Sequence, residues 1–98
     1  MRIFVRLEVF ESIKEVGEIR KLREAAAVQL DKIRKSGKLE LGIVAADGRL
    51  PMMLLNVDSA AELMDLLGNV FIDHFKIESH PVVSFDELGK FFAAHPPE

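Results

Sequence analysis

The sequence predicts an α+β domain: a four-stranded antiparallel sheet, two helices on one of its faces, and a short third helix at the end. Three observations carry this. Four short stretches alternate apolar and polar residues or are rich in strand formers, two longer stretches carry apolar residues at helical spacing, and turn or capping residues separate them. At 98 residues the chain suits one domain with one modest core. Residues 1–93 are read as that domain, and 94–98 as a tail expected to fray.

The first strand is Arg2 to Phe10. Ile3, Val5, Leu7 and Val9 point one way, and Phe4, Arg6, Glu8 and Phe10 the other. Ser12 to Gly37 is helical. Ser12 and Glu15 have the spacing of a capping box, and Gly17 weakens the first turns, so regular helix is expected from near Glu18. Ile19, Leu22, Ala26, Leu30 and Ile33 form its apolar stripe. Lys and Arg in the last turns suit the negative end of the helix dipole, and Gly37 is a natural stop.

Lys38 to Val57 reads as a hairpin turning at Asp47-Gly48, a pair that favours positive φ. Its return strand, Leu50 to Val57, is apolar on both sides and therefore central, with Pro51 at its beginning. Asp58-Ser59 caps a second helix, Ala60 to Leu67, which Gly68-Asn69 ends. A loop, Val70 to Asp73, leads to a fourth strand, His74 to His80. Ser84 and Glu87 repeat the capping-box spacing and open a last helix with Phe85, Leu88, Phe91 and Phe92 on one side, expected to pack at the sheet edge. The order β-α-β-β-α-β is the split βαβ, ferredoxin-like pattern.

Composition bounds the function. The chain is 49% hydrophobic and 30% charged, so it is globular rather than disordered. It has no cysteine, which excludes disulfides, thiol nucleophiles and cysteine-ligated metal. No apolar run is long enough for a membrane span, and Arg2, Arg6 and Glu8 interrupt the N-terminal stretch, so a cytoplasmic protein is expected. Net charge is −3 but uneven: residues 1–49 hold 11 Lys and Arg against 8 Asp and Glu, and residues 50–98 hold 2 against 8. The basic side of the first helix is interleaved with Glu18, Glu24 and Asp31, and Trp and Tyr are absent, so nucleic acid is not an expected partner.

Two helices leave one sheet face bare. Phe4, Phe10 and the apolar third strand reach that face, together with Arg6, Glu8, Glu40, Lys76 and Glu78 by parity. An apolar sheet of this size calls for a covering surface, and a second copy supplies one by symmetry, so a homodimer is expected, with a larger ring open as a further step.

Candidate chemical residues are few. His74, with Asp73 beside it, is the acid–base candidate. Placed on one strand, His74 and His80 fall about 20 Å apart, too far to share a metal, and no other spacing resembles a metal site. Arg6 and Glu8 are candidates to hold a carboxylate or lactone oxygen; interface ion pairing is the plainer role. Asn56 and Ser79 are candidate polar groups beneath the helices, and strand-end hydrogen bonding is their plainer role. Any cavity under the helices should be lined by Val, Leu, Ile, Met and Phe, which suits a small apolar organic ligand. There is no glycine-rich phosphate loop, so neither nucleotide nor any other cofactor is expected.

The chain resembles the dimeric α+β-barrel superfamily and, within it, muconolactone isomerase-like proteins. The resemblance covers roughly residues 1–82. It rests on length, element order, the basic helix end Lys32-Ile-Arg-Lys-Ser-Gly37 entering strand two, the Val57-Asp-Ser59 entry to helix two followed by Leu63, Asp65 and Leu67, and the Ile77-Glu78 strand ending in His80-Pro81. It implies a cofactor-free protein built on dimers, with an isomerase that moves a proton on a small lactone as the family activity. Where family enzymes place acidic and basic groups on helix one, this chain reads Glu24-Ala-Ala-Ala-Val28, and where they have an aromatic start to strand two it reads Leu39-Glu-Leu41. A non-catalytic ligand-binding or assembly module, or a cofactor-free monooxygenase-like barrel, are therefore the alternative expectations on this scaffold.

Overall fold

The computed structural model describes residues 1–46 and 49–97. The Asp47-Gly48 turn lies outside the described residues. The order is β1 (Arg2–Val9), α1 (Val16–Lys35), β2 (Leu39–Val44), β3 (Pro51–Asn56), α2 (Ala60–His74), β4 (Phe75–Pro81) and α3 (Phe85–Ala94). The strands form one antiparallel sheet in the order β2-β3-β1-β4, the ferredoxin-like arrangement.

Strand parity decides which side the helices cover. Ile3, Val5 and Leu7 of β1 are buried, as are Met53 and Leu55 of β3, to which β1 pairs Val5 and Ile3. Leu63, Leu67 and Phe71 of α2 and Ile33 of α1 close over them, and Phe71 meets Phe75 edge-on with centroids 5.2 Å apart. α1 contributes only Ile33 in full; Leu22, Ala26 and Leu30 are half-buried. The N-terminal part of α1 therefore stands off the sheet.

Several local expectations need correction. The Ser12–Glu15 capping box does not form: α1 begins at Val16, and Glu15 caps it with backbone alone. The chain turns earlier, with Ile13 N–H donating to the Phe10 carbonyl at 3.1 Å. α2 breaks at Gly68 as its sequence predicts, but 70–73 is no loop. Gly68 adopts φ 71°, ψ 174°, and the chain then re-enters helix as far as His74. The reason is burial: the resumed turn places Phe71 in the core against Phe75. β4 consequently begins at Phe75, and His74 is a helix end. α3 does not pack at the sheet edge. None of its residues is buried, and the radius of gyration is 16.1 Å where a compact chain of this length has about 13 Å. The molecule extends 56 Å in its longest dimension.

Two capping expectations hold. Ser59 accepts from Glu62 N–H at 3.1 Å and Ser84 from Glu87 N–H at 3.0 Å. Glu62 also accepts from Asp58 N–H at 2.9 Å and pairs with Lys38 at 3.1 Å, and these hold its carboxyl below the usual range. In β2 the register shifts between Leu39 and Leu41, a bulge that puts Glu40 within 3.2 Å of Arg2 across β3.

Gly68 and Gly17 should respond oppositely to alanine. The Gly68 conformation is one that only glycine adopts freely. A Cβ there would also lie 3.0 Å from Gln29 Nε2, which donates to the Leu66 carbonyl at 2.7 Å and ties α1 to α2. Gly68→Ala should lower unfolding stability by about 1–3 kcal/mol. Gly17 has open space and a helical position, so Gly17→Ala should raise it by about 0.4–1 kcal/mol. Urea unfolding of both variants reads the two signs.

Candidate functional site

A cleft of about 580 Å³ lies between α1 and strands β2 and β3. It exists because small residues face each other across it. Ala26 and Ala27 of α1 stand opposite Gly42 of β2, whose missing side chain leaves only Leu39 within van der Waals reach of its position. Leu30, Ile33, Leu39, Val44 and Met53 belong to its aliphatic lining, and Ile43, Pro51 and Met52 border it as well. No Phe enters it, so the lining is narrower in type than the sequence leads one to expect.

Arg23, Asp31 and Arg34 stand at the cleft on the flank of α1. Sequence reasoning did not single them out. Their signal is the 23, 27, 31, 34 spacing, which runs one row of side chains beside the apolar stripe. Asp31 accepts from Arg34 and from Lys35 at 2.8 Å. The Lys35 ammonium first and the Arg34 guanidinium second hold its carboxyl below the ordinary value of 3.8. At neutral pH the cleft thus presents an apolar wall, one carboxylate already paired, and the Arg23 cation.

The candidates from the sequence do not gather there. His74 is exposed at the end of α2, its Nδ1 2.9 Å from the Val70 carbonyl, and its own carbonyl accepts from Phe10 N–H at 3.0 Å. It stands beside β4, at the opposite sheet edge from β2. Asn56 lies on the open face rather than beneath the helices, since its neighbours Leu55 and Val57 take the buried side; its Oδ1 accepts from the Met1 ammonium at 3.3 Å. Ser79, paired with Val5, is on the helix-facing side of β4 but remains exposed.

Arg6 and Glu8 do come together, on the open face. Arg6 reaches Glu78 at 3.2 Å and Glu8 at 4.0 Å, and His80 Nε2 lies 3.4 Å from Glu78. Arg6, Glu8, Lys76, Ile77 and Glu78 border a recess of about 270 Å³. The hydrogen bond from His80 and then that from Arg6 hold the Glu78 carboxyl below its ordinary value of 4.5. Beside this network, Phe4, Leu54 and Met52 are half-buried, while Leu41 and Ile43 are about half exposed at 54% and 52%. Among the described residues no group of three or more His, Asp or Glu stands close enough to hold a metal ion, and no helix is long and apolar enough to cross a membrane.

No protein-family model matches the chain, and no curated protein matches its sequence.

The Glu78 network is open to direct titration. A carboxyl whose folded value is depressed adds stability that is present above its unfolded value, near 4.5, and is lost as pH falls through the folded value. The Glu78 side-chain carbon, followed by NMR, should titrate below 4.5. His80→Ala and Arg6→Ala should each move it upward.

Proposed function

We propose that the chain is a small homodimeric binding module for an apolar organic molecule, of the muconolactone isomerase-like kind, with the ligand held in the α1–β2 cleft. The observation that carries this reading is the cleft itself. An aliphatic concavity of about 580 Å³ with a few polar groups on one flank has the size and lining of a small-molecule site. Among the described residues Arg23 makes no ion pair, and it offers such a site a cation suited to an anionic or carbonyl end of an otherwise apolar ligand.

The dimer reading rests on the open face. Phe4, Leu41, Ile43, Met52 and Leu54 offer apolar surface, and of the charges beside them Arg6, Glu8 and Glu78 are already paired within the chain, while Lys76 has no ion pair among the described residues. Prepaired charges cost less to bury than isolated ones.

One feature favours a catalytic reading as the second choice. Asp31 is a carboxylate standing at the cleft, among the described residues the one group there that could take a proton from a bound lactone or related ring compound, and it would have to leave Lys35 and Arg34 to do so, since their hydrogen bonds lower its basicity. His74 can join such chemistry only from another copy, because it stands at the far edge of its own sheet.

An apolar fluorophore titrated into the protein should bind and brighten. Leu30→Asp should weaken that binding by about tenfold or more by placing a charge in the aliphatic wall, whereas His74→Ala should leave it unchanged. Unaltered binding in Leu30→Asp would place the ligand elsewhere. Asp31→Asn separates the two readings: it leaves binding intact under both and removes lactone turnover only under the catalytic one.

Sedimentation at micromolar concentration should show a dimer, and Phe4→Asp should shift it to monomer. A monomeric wild type would end the dimer proposal.

A further inference from the structure

β4 is the outer strand on one side of the sheet, and its ladder with β1 fixes which of its backbone groups face outward. Along an antiparallel pair, residues that bond the neighbouring strand alternate with residues that do not. Phe10 N–H donates to the His74 carbonyl at 3.0 Å, and Val82 N–H to the Arg2 carbonyl at 3.0 Å. His74 and Val82 are therefore bonded positions, one at each end of the ladder. Between them the register runs from Val9 on Phe75 to Ile3 on Pro81 without a shift. Lys76, Glu78 and His80 thus bond to β1, while Ile77 and Ser79 turn both N–H and carbonyl away from the sheet.

This outward stretch is open and bounded. Ser79 is exposed, and Ile77 is half-buried with its side chain against the core. At one end, the Phe71 carbonyl takes Phe75 N–H at the close of α2, leaving the Phe75 carbonyl. At the other end Pro81 has no N–H to give, leaving its carbonyl. The edge therefore offers two complete residues flanked by two lone carbonyls. β2, the outer strand on the other side, has no matching run, because its register shifts between Leu39 and Leu41.

An edge this short and regular fits a copy of itself. Two β4 strands can run antiparallel about a twofold axis at Ile77, Glu78 or Ser79. An axis at Glu78 sets the two Glu78 carboxylates directly opposite each other, which repels. An axis at Ser79 sets Ile77 against Pro81 and pairs His80 with Glu78, which already lie 3.4 Å apart within each chain. An axis at Ile77 sets the two Ile77 side chains together and places Lys76 opposite Glu78 twice. Lys76 makes no ion pair among the described residues. Glu78 holds Arg6 through Oε2, and its Oε1 has His80 at 3.4 Å, so one carboxylate with about four acceptor sites has room for the second copy's ammonium.

We propose that β4 pairs with β4 of a second copy about a twofold axis at Ile77, joining two four-stranded sheets edge to edge. The two Ile77 residues exchange both of their bonds, and each Ser79 N–H donates to the Phe75 carbonyl opposite. Pro81 and the junction with α2 limit the pairing to this one short partner. The contact uses the edge of the sheet and the stacking proposed above uses its face, so one chain can hold both neighbours. So small a contact is weak, with a dissociation constant of about 0.1–1 mM, and it adds to an open-face dimer formed at micromolar concentration.

Amide hydrogen exchange followed by NMR from about 0.05 to about 1 mM tests the pairing. The Lys76, Glu78 and His80 amides should be protected throughout by β1. The Ile77 and Ser79 amides should exchange fast when dilute and slow by about threefold as concentration rises. Ser79→Pro removes a donor that β1 does not use, so it should leave the circular dichroism unchanged and abolish the slowing at Ile77. Lys76→Glu sets like charges opposite each other twice and should weaken the association by about tenfold. Phe4→Asp, aimed at the open face, should leave the slowing in place. Fast exchange at Ile77 and Ser79 at every concentration overturns the proposal. So does slowing that spreads to β2 amides, which would make β2 the mate of β4, or slowing that Phe4→Asp removes, which would assign it to the face contact. A Lys76→Glu chain that associates as tightly as the wild type overturns the Ile77 register.

Discussion

Two helices can cover one face of a four-stranded sheet, and of the helices among the described residues only α1 and α2 place side chains in the core. That limit shapes the rest of the molecule. Ile3, Val5 and Leu7 sink under α1 and α2 because β-strand parity sends every second residue the same way. The same parity sends Phe4, Arg6 and Glu8 to the other side, where no helix lies over them among the described residues and Phe4 and Arg6 are only half-buried. Nor does the cover extend fully over the near face. α2 seats three residues in the core and α1 only Ile33, so the β2 side of the sheet is left partly open and becomes the cleft.

Gly68 adjusts how the cover is laid. The break turns the axis of α2 at Gly68, and Phe71 beyond it meets Phe75 edge-on. With it, the second segment of α2 drops into the core and hands the chain directly to β4, Phe75 N–H donating to the Phe71 carbonyl. Gln29 fills the notch and fastens α1 at the same place. The two helices are tied to each other there, and the cleft opens on the β2 side of α1.

What the sequence reveals follows the range of the forces involved. Strand parity, the Ser59 and Ser84 caps, the Gly37 and Gly68 breaks and the central place of β3 are local or periodic signals, and all are readable. The resumption of α2 after Gly68 is not, because it is driven by contact between Phe71 and the sheet rather than by any signal in 69–74. The failed Ser12 cap has the same cause: Phe10 is held by the His74 carbonyl, 64 residues on, and the chain turns there before a helix can start. The aliphatic lining of the cleft is legible from the stripe on α1. Asp31 and Arg34 are not, because the stripe marks the buried line and the cleft lies along its flank. The placing of His74 depends wholly on where α2 ends, so a shift of one element boundary carried it from a strand face to a helix terminus.

The bulge in β2 has a consequence of another kind. β2 is an edge strand, and an unbroken edge presents a regular row of backbone donors and acceptors to any other extended chain. The register shift between Leu39 and Leu41 interrupts that row, and Glu40 beside it brings a charge held by Arg2. An edge with a broken register is a poor template for strand addition. A strand with Leu41, Ile43 and Val44 exposed would otherwise be an aggregation hazard, and the bulge is a safeguard against amyloid-like stacking of one sheet onto the next.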